Sequence, residues 1–340
     1  MHMLLKGKYS SIFAGNMDAI YTSCTVNHLS RAFSLLDSVH KYHPQIKFII
    51  CLVDVVDRSQ LPAGDYDLVC AEEMRLPFFR EMYIKYATLE LNSALKPYFA
   101  SFLLDKYQID RLIYLDSDIL LFNKLEPVFE ALQDHSIVIT PHSMSTVESG
   151  FIFDDRNFLR SGIYNAGFFA VRRDKDAGSF LDWWMKKLRN QGFFEPRKGM
   201  FAEQLWMNLI PLYFNNVLVL RHKGCNVAYW NLHEREVIKR GEDFFINNNE
   251  TPLIFFHFSG AGMDCFEKNN PSVSQDRYTF TDRPDIVPVF EQYLENLRKY
   301  AFFKSDSYYT ITDRFKTKVP LVKPVVELVR KIIKKLIFIR

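Results

Sequence analysis

The chain has 340 residues, of which 48% are hydrophobic and 24% charged, so it has enough apolar side chains for a sizeable core. A formal net charge of +3 excludes a protein that is basic over its whole surface, and we expect no nucleic acid partner. The five cysteines include no CxxC pair, which excludes a zinc ribbon and a thioredoxin-type site.

The cellular setting is predicted from the cysteines and the apolar runs. Cys24 and Cys51 lie in apolar, strand-like segments and are most simply buried thiols. The N-terminal sequence lacks the apolar core of a signal peptide, and no apolar run is long enough to span a membrane. We therefore expect a reducing, cytoplasmic setting.

Strand-like and helix-like segments alternate along the chain. A strand at residues 19–25 precedes a helix whose apolar side chains share one face and whose predicted cap is Asn27. Residues 46–55 form a continuous apolar run, typical of a strand covered on both faces. A helix follows at residues 87–106, with a kink predicted at Pro97. Later strands are predicted in RLIYL, SIVITPH, NAGFFAVRR, NVLVLRH and PLIFFHFSG, and later helices in AGSFLDWWMKKL and AEQLWMNLIPLYF.

This alternation predicts an α/β fold with a mostly parallel central sheet and helices on both faces. We expect one domain over residues 1–305 and a separate tail over residues 306–340. Ligands of such sheets bind beyond the carboxyl ends of the strands. The aspartates that follow RLIYL, Asp116 and Asp118, lie at such an end.

Asp116, Ser117 and Asp118 form a D-x-D motif between apolar segments, where an ionised side chain without a partner is costly. Two carboxylates that face one point repel each other unless a cation lies between them. Carboxylates suit Mg²⁺ or Mn²⁺, whose coordination is often completed by substrate phosphates. The motif therefore predicts a metal–diphosphate site, although a bare D-x-D is more often a solvated turn.

A third candidate ligand, His257, ends the apolar run PLIFFH. It precedes a turn with Gly260, whose backbone N–H groups could approach phosphate oxygens. A lone histidine here is more often structural, but an imidazole beside two carboxylates favours Mn²⁺ over Mg²⁺. We predict Mn²⁺ as the cofactor, with Mg²⁺ as the alternative.

Four motifs in order, YLDSDILLF, YNAGFFAV, EQLWMNL and HFSG, resemble retaining glycosyltransferases of the GT-A fold, family 8, the galactosyltransferase and glycogenin-like group. The resemblance spans about residues 21–262. It implies a Rossmann-like nucleotide-diphospho-sugar transferase fold, a UDP-hexose donor, usually UDP-glucose or UDP-galactose, and Mn²⁺ held by Asp116, Asp118 and His257.

The resemblance also implies which residues contact the donor and which form the catalytic face. The end of the first strand would bind the nucleoside and the YNAGFFAV motif the sugar, with Gln204 orienting the sugar rather than acting as a nucleophile. The implied donor-binding residues are Thr22, Ser23, Asn27, Lys96, Asp116, Ser117, Asn165, Ala166, Gly167 and Gly260. The implied catalytic residues are Gln204, Glu203 and Asn165.

The chain departs from the family pattern at three points. Glu203 stands where the family usually has aspartate, and the lysine that follows the family's histidine turn is absent from HFSGAGMDCF. The arginine that often contacts the donor has no clear match; Lys96 is a candidate, although a solvated helix residue is the simpler interpretation. These differences indicate a divergent branch, similar to bacterial enzymes that build surface polysaccharides on a glycan or lipid-linked acceptor.

Other interpretations stay open. Asn165 and Gly167 could serve only to bend a strand. Gln204 could be a surface residue at the start of a helix, where the helix dipole would stabilise the negative charge of Glu203. Trp230 could lie in an acceptor cleft or in the core. The chain could be a decayed nucleotide-sugar or glycan-binding protein. A nucleotidyltransferase should have a basic, glycine-rich phosphate loop, and YTSCTVNHLSR is not one.

Basic side chains cluster in the tail, where Glu327 is the single acid beyond Arg314. VKPVVELVRKIIKKLIFIR combines an apolar stripe with a basic remainder, typical of a helix that lies on an anionic membrane surface. Packing of the stripe on the domain is the alternative. We expect a peripheral protein at the inner face of the membrane.

Truncation at about residue 315 should release the protein from anionic vesicles at low salt, because each basic side chain adds about 1 kcal/mol near such a surface. Vesicle co-sedimentation of the full and truncated chains measures this. Equal binding by both would exclude the tail as a membrane anchor.

Overall fold

The structure is a computed structural model that describes residues 17–300, so the predicted tail lies outside the described residues. Within this range no helix has the length and apolar character needed to cross a membrane. The strands are Asp18–Cys24 (β1), Lys47–Leu52 (β2), Asp67–Cys70 (β3), Arg111–Leu115 (β4), Ile119–Leu121 (β5), Ile137–Pro141 (β6), Tyr164–Arg172 (β7), Phe194–Glu195 (β8), Met200–Phe201 (β9), Val217–Val219 (β10), Val237–Arg240 (β11), Asp243–Ile246 (β12) and Phe255–His257 (β13). The α-helices are Leu29–Tyr42 (α1), Phe79–Lys85 (α2), Thr88–Tyr107 (α3), Glu126–Asp134 (α4), Asp155–Ser161 (α5), Lys175–Gln191 (α6), Ile210–Tyr213 (α7) and Val287–Lys299 (α8).

The central sheet has the strand order β10-β6-β7-β4-β1-β2-β3. Neighbouring strands are parallel except around β7, which runs antiparallel to both β4 and β6. The amino end of β7 therefore lies at the same edge of the sheet as the carboxyl ends of β1, β4 and β6. The predicted α/β class with a mostly parallel sheet is confirmed.

Helices cover both faces of this sheet, because successive strand side chains point to opposite sides. Tyr21 and Cys51 pack on one side with α3 and α6, around the fully buried Trp184. Ile20 packs on the other side with α1 and α4. Cys51 and Cys24 are buried free thiols, as predicted.

The boundaries of two predicted helices are wrong. α1 begins at Leu29, and Asn27 lies inside a preceding 3₁₀ helix, Val26–His28, rather than at a cap. The cap comes from a distant strand end, where the Asp54 carboxylate accepts a hydrogen bond from the N–H of Val26 at 2.8 Å.

α3 matches its predicted span and continues through Pro97.

The segment AEQLWMNLIPLYF was predicted as one helix and is instead a 3₁₀ helix, Leu205–Leu209, followed by the short α7. Pro211 has no N–H to bond the carbonyl of Met207, so a continuous α-helix would lose a bond there. Ala202 has a positive φ of 45°, which turns the chain just before Glu203. Glu203 therefore lies in a loop rather than at a helix start.

The last predicted strand does not join the central sheet. β13 pairs antiparallel with β5, the short strand after the D-x-D motif, with His257 opposite Ile119. The N–H of Phe258 donates to the carbonyl of Asp118 at 2.8 Å. α8 packs over this pair in a third apolar cluster. The arrangement brings His257 beside the aspartates.

Candidate active site

The D-x-D motif occupies a turn between β4 and β5 at the carboxyl edge of the sheet. The backbone N–H of Asp116 donates to the carbonyl of Gly167 on β7 at 2.8 Å, and the carbonyl of Asp116 accepts from the N–H of Ile119 at 3.1 Å. These bonds hold the turn to a neighbouring strand. The motif is therefore a fixed part of the sheet edge rather than a solvated loop.

His257 faces both aspartates. Its Nε2 atom lies 3.1 Å from Oδ1 of Asp118 and 3.9 Å from Oδ2 of Asp116, and its side chain is 4% exposed. The three side chains each offer a ligand atom, and these atoms lie within 4.8 Å of one another. The structure thus brings together the three residues that the sequence analysis named as candidate ligands.

The hydrogen-bond network fixes the tautomer of His257. The N–H of Gly167 donates to Oδ1 of Asn165 at 3.1 Å, which identifies that atom as the amide oxygen. The same oxygen lies 3.3 Å from Nδ1 of His257, so Nδ1 carries the hydrogen. Nε2 therefore presents its lone pair to the carboxylates, which is repulsive unless a proton or a cation lies between them. Two carboxylates and an imidazole so oriented fit a divalent metal.

A second histidine extends this network and was missed in the sequence. His142 follows β6, and its Nε2 accepts from Nδ2 of Asn165 at 3.1 Å while its Nδ1 donates to the carbonyl of Ile163 at 3.2 Å. Burial lowers the pKa of His142 to about 4, with the nearby His257 acting in the same direction. His142 is therefore neutral at pH 7. Its Nε2 can accept a hydrogen bond from Asn165 only in this state, because the protonated ring has a hydrogen on both nitrogens.

Gly167 is required by close packing against His257. A Cβ atom at this position would lie 2.4 Å from Cε1 of His257 and 2.7 Å from Oδ1 of Asn165. Any larger residue would displace the imidazole or its amide partner. In this structure Gly167 leaves room for the histidine, and its predicted contact with the donor stays a prediction.

Lys96 on α3 is buried, and its interpretation as a solvated helix residue is wrong. Its Nζ lies 2.9 Å from Asp116, 2.7 Å from Glu203 and 3.0 Å from the carbonyl oxygen of Ala166. Burial opposes the charge, but the two carboxylates outweigh it and raise the pKa of Lys96 above its ordinary value. All three ammonium hydrogens have acceptors, so Lys96 positions Asp116 and Glu203.

The two aspartates have different partners. Oδ1 of Asp116 accepts from Lys96 and from the hydroxyl of Tyr114, which leaves Oδ2 on the side of His257. For Asp118, burial opposes ionisation, but His257 with a proton on Nε2, and then Arg31, hold its pKa below the ordinary value. The Asp118 carboxylate is therefore ionised in neutral solution.

Gln204 and Glu203 lie in the loop before the 3₁₀ helix. Oε1 of Gln204 accepts from the N–H of Ala166 at 3.1 Å and from Nδ2 of Asn165 at 3.3 Å, and Nε2 donates to the carbonyl of Ser161 at 3.1 Å. Gln204 thus supports the start of β7 rather than lying free on the surface. Glu203 is 5% exposed and contacts Lys96 rather than a helix terminus.

These residues line a cleft of about 280 Å³ at the sheet edge. One face of α3 and the aromatic pair of the β8–β9 hairpin form its walls. The sequence-predicted residues that line it are Ser23, Lys96, Asp116, Ser117, Asp118, Asn165, Glu203, Gln204 and His257. The lining residues that were not predicted include His28, Arg31, Leu89, Asn92, Phe194 and Phe201.

Other predicted site residues lie behind or beside the cleft. Thr22 is fully buried in β1, whereas Asn27 is exposed. Gly260 has a φ of +73°, and a Cβ there would lie 2.5 Å from Oγ of Ser272, so the glycine serves the turn after β13. Trp230 is 2% exposed and meets His257 edge-on, so it belongs to the core.

Comparison with known proteins gives the following matches. No protein-family model matches the chain. Two Bacillus subtilis (strain 168) proteins of uncharacterized function are similar: YfnF is 26% identical over 284 residues, covering 81% of this chain and 90% of its own length, and YfnD is 23% identical over 285 residues, covering 81% and 88%.

Several solved structures are also similar. An active-site mutant of LgtC matches with 14% identity and a TM-score of 0.47, and the galactosyltransferase LgtC with donor and acceptor sugar analogs matches with 14% identity and 0.46; each covers 89% of this chain and 100% of the other. The bifunctional glycosyltransferase WbbM matches with 13% identity and a TM-score of 0.46, covering 91% and 52%. These solved chains are glycosyltransferases, the class that the four sequence motifs resemble.

The neutrality of His142 gives a pH dependence of stability. Because its pKa falls from 6.5 to about 4 on folding, protonation favours the unfolded chain. The stabilisation is complete above pH 6.5 and is lost as the pH falls toward 4. Between pH 7 and pH 4.5 the wild type should lose about 2–3 kcal/mol more unfolding free energy than His142→Gln, measured by urea denaturation. Parallel losses in the two proteins would contradict the assignment.

Proposed function

We propose that the chain is a metal-dependent retaining glycosyltransferase that transfers a hexose, glucose or galactose, from a UDP-sugar to a glycan or lipid-linked acceptor. The observation that supports this most is the convergence of Asp116, Asp118 and His257, with the lone pair of His257 directed at the carboxylates. We further propose that the reaction belongs to surface polysaccharide synthesis at the cytoplasmic face of the membrane.

Asp116, Asp118 and His257 would hold the metal, and the imidazole favours Mn²⁺, with Mg²⁺ as the alternative. Such an ion, when bound, offsets the negative charge that develops on the leaving diphosphate. Because Nδ1 of His257 bonds Asn165, Nε2 is the atom that faces the aspartates and would bind the metal. Lys96 keeps one oxygen of Asp116 engaged and leaves the other for the metal side.

The side chains of the cleft are suited to glycosyl transfer. Its transition state has oxocarbenium character, and the carboxylate of Glu203, held by Lys96, can stabilise positive charge on the sugar. Gln204 and Asn165 would orient the sugar. In the retaining, same-face reaction, the bond from the anomeric carbon to the diphosphate breaks, the bond to the acceptor oxygen forms, and the acceptor proton passes to the departing phosphate.

A decayed nucleotide-sugar or glycan-binding protein is the competing function. The complete ligand set and the presence of Lys96 as a partner for Glu203 favour an enzyme. Thermal-shift screening against nucleotide sugars, with and without Mn²⁺, identifies the donor, and release of UDP with an acceptor separates the two functions. Binding without any release would favour the decayed protein.

Asp118→Ala should abolish transfer at saturating Mn²⁺, with UDP release at least about a hundredfold lower, because it removes the carboxylate nearest His257. Asp264→Ala is the matched control, since Asp264 is a partly exposed carboxylate that pairs with Lys268 outside the cleft. Turnover near that of the wild type in Asp118→Ala would eliminate the metal assignment.

His257→Ala should weaken Mn²⁺ binding more mildly than Asp118→Ala, because a neutral ligand is lost and both carboxylates remain. Titration of the protein with Mn²⁺ by isothermal calorimetry measures this directly. An unchanged affinity would remove the histidine from the ligand set.

A further inference from the structure

The charge balance of the cleft singles out one side chain that the sequence motifs did not include. In the described part of the chain, the lysine, arginine and carboxylate side chains that line the cleft are Arg31, Lys96, Asp116, Asp118 and Glu203. Lys96 is fully engaged by Asp116, Glu203 and a backbone carbonyl. It therefore has no N–H group left to donate to a ligand.

Arg31 is the other cation, and its contacts are loose. NH1 lies 3.6 Å from Oδ2 of Asp118, longer than a hydrogen bond, and NH2 donates to the carbonyl of Ala261 at 3.3 Å. Its side chain is 27% exposed, within the lining of the cleft. A guanidinium group has five N–H donors, so Arg31 retains donors for a ligand.

Arg31 lies near the amino end of α1, where the Asp54 carboxylate caps the preceding 3₁₀ helix and Asp118 is the acidic neighbour of the guanidinium group. It is the third residue of α1, whose first turn contains no acidic residue. The amino end of a helix carries a positive partial charge that disfavours a cation. The neighbouring His28 adds no charge at neutral pH, because burial and then Arg31 lower its pKa.

A bound divalent ion would change the charge balance of the cleft. Asp118, the acidic neighbour of Arg31, is one of the proposed ligands of that ion. With a divalent ion bound, the two cationic and three anionic side chains would give the cleft a formal net charge of one positive unit. If Arg31 were absent, the formal net charge would be zero. The loaded cleft is therefore positive only because of Arg31.

We propose that Arg31 binds the diphosphate of the donor, on the α1 side of the metal site. This inference rests on the proposed function and adds a residue to it. The diphosphate would satisfy the N–H donors of the guanidinium group that are left free in the cleft.

Calorimetric titration with UDP in the presence of Mn²⁺ tests the proposal on the full chain. Arg31→Gln should bind UDP about tenfold to a hundredfold more weakly, the effect of losing a charge-assisted hydrogen bond. Arg31→Lys should lose less, because it keeps the charge but not the planar set of donors. Thermal melting confirms that both variants are folded.

Lys41→Gln is the matched control, because Lys41 is an exposed cation near the carboxyl end of the same helix, about 15 Å away. It changes the net charge equally and should leave UDP binding unchanged. Wild-type affinity in Arg31→Gln, or an equal loss in Lys41→Gln, would overturn the proposal. If the wild type binds neither UDP nor pyrophosphate with Mn²⁺, the proposed function itself fails, and the inference with it.

Discussion

The contact between His257 and Gly167 is the constraint on which the candidate site depends. β7 passes so close to the imidazole that a single Cβ atom would lie 2.4 Å from the ring. The same glycine binds the Asp116 backbone through its carbonyl and the Asn165 side chain through its N–H. One residue without a side chain therefore sets the position of an aspartate, the tautomer of a histidine and the orientation of an amide.

Lys96 is a second fixed element, and its effect is electrostatic. Burying an ammonium group is favourable only when its hydrogens are all accepted, and here two carboxylates and a carbonyl accept them. Loss of the lysine would leave the carboxylates of Asp116 and Glu203 close together without a cation between them. Lys96 thus holds the carboxylates of Asp116 and Glu203 in fixed positions within the cleft.

Much of the site was predictable because it lies at strand ends that have clear local patterns. RLIYL is an unmistakable buried strand, and the rule for ligand binding in parallel sheets then places Asp116 and Asp118 correctly. The apolar run before His257 identified a strand end as well. This run did not show that β13 pairs with β5 instead of joining the central sheet, because an apolar pattern indicates burial and not which strand is the partner.

The contacts that were not predicted join distant segments of the chain. Lys96 looks like any helical lysine until α3 packs against β4 and the loop that carries Glu203. His142 is the last residue of a predicted strand, but its partner Asn165 lies at the amino end of β7, and the local sequence pattern does not show that β7 runs antiparallel. Arg31 did leave a local signal, since a cation in the first turn of a helix is unfavourable.

The charges of the cleft also relate the proposed metal to the proposed donor. Without a divalent ion, three carboxylates face two cations, and a diphosphate would meet a negative cleft. With the proposed ion the sign would reverse, so the metal and the proposed donor would each strengthen the binding of the other, and by linkage the effect would be equal in both directions. The two ion pairs of the cleft also differ in length. Lys96 holds its carboxylates at hydrogen-bond distance, whereas the distance between Arg31 and Asp118 is long, so these two side chains can exchange partners. The tight pair keeps the site assembled, and the loose pair is the part that can respond to a ligand.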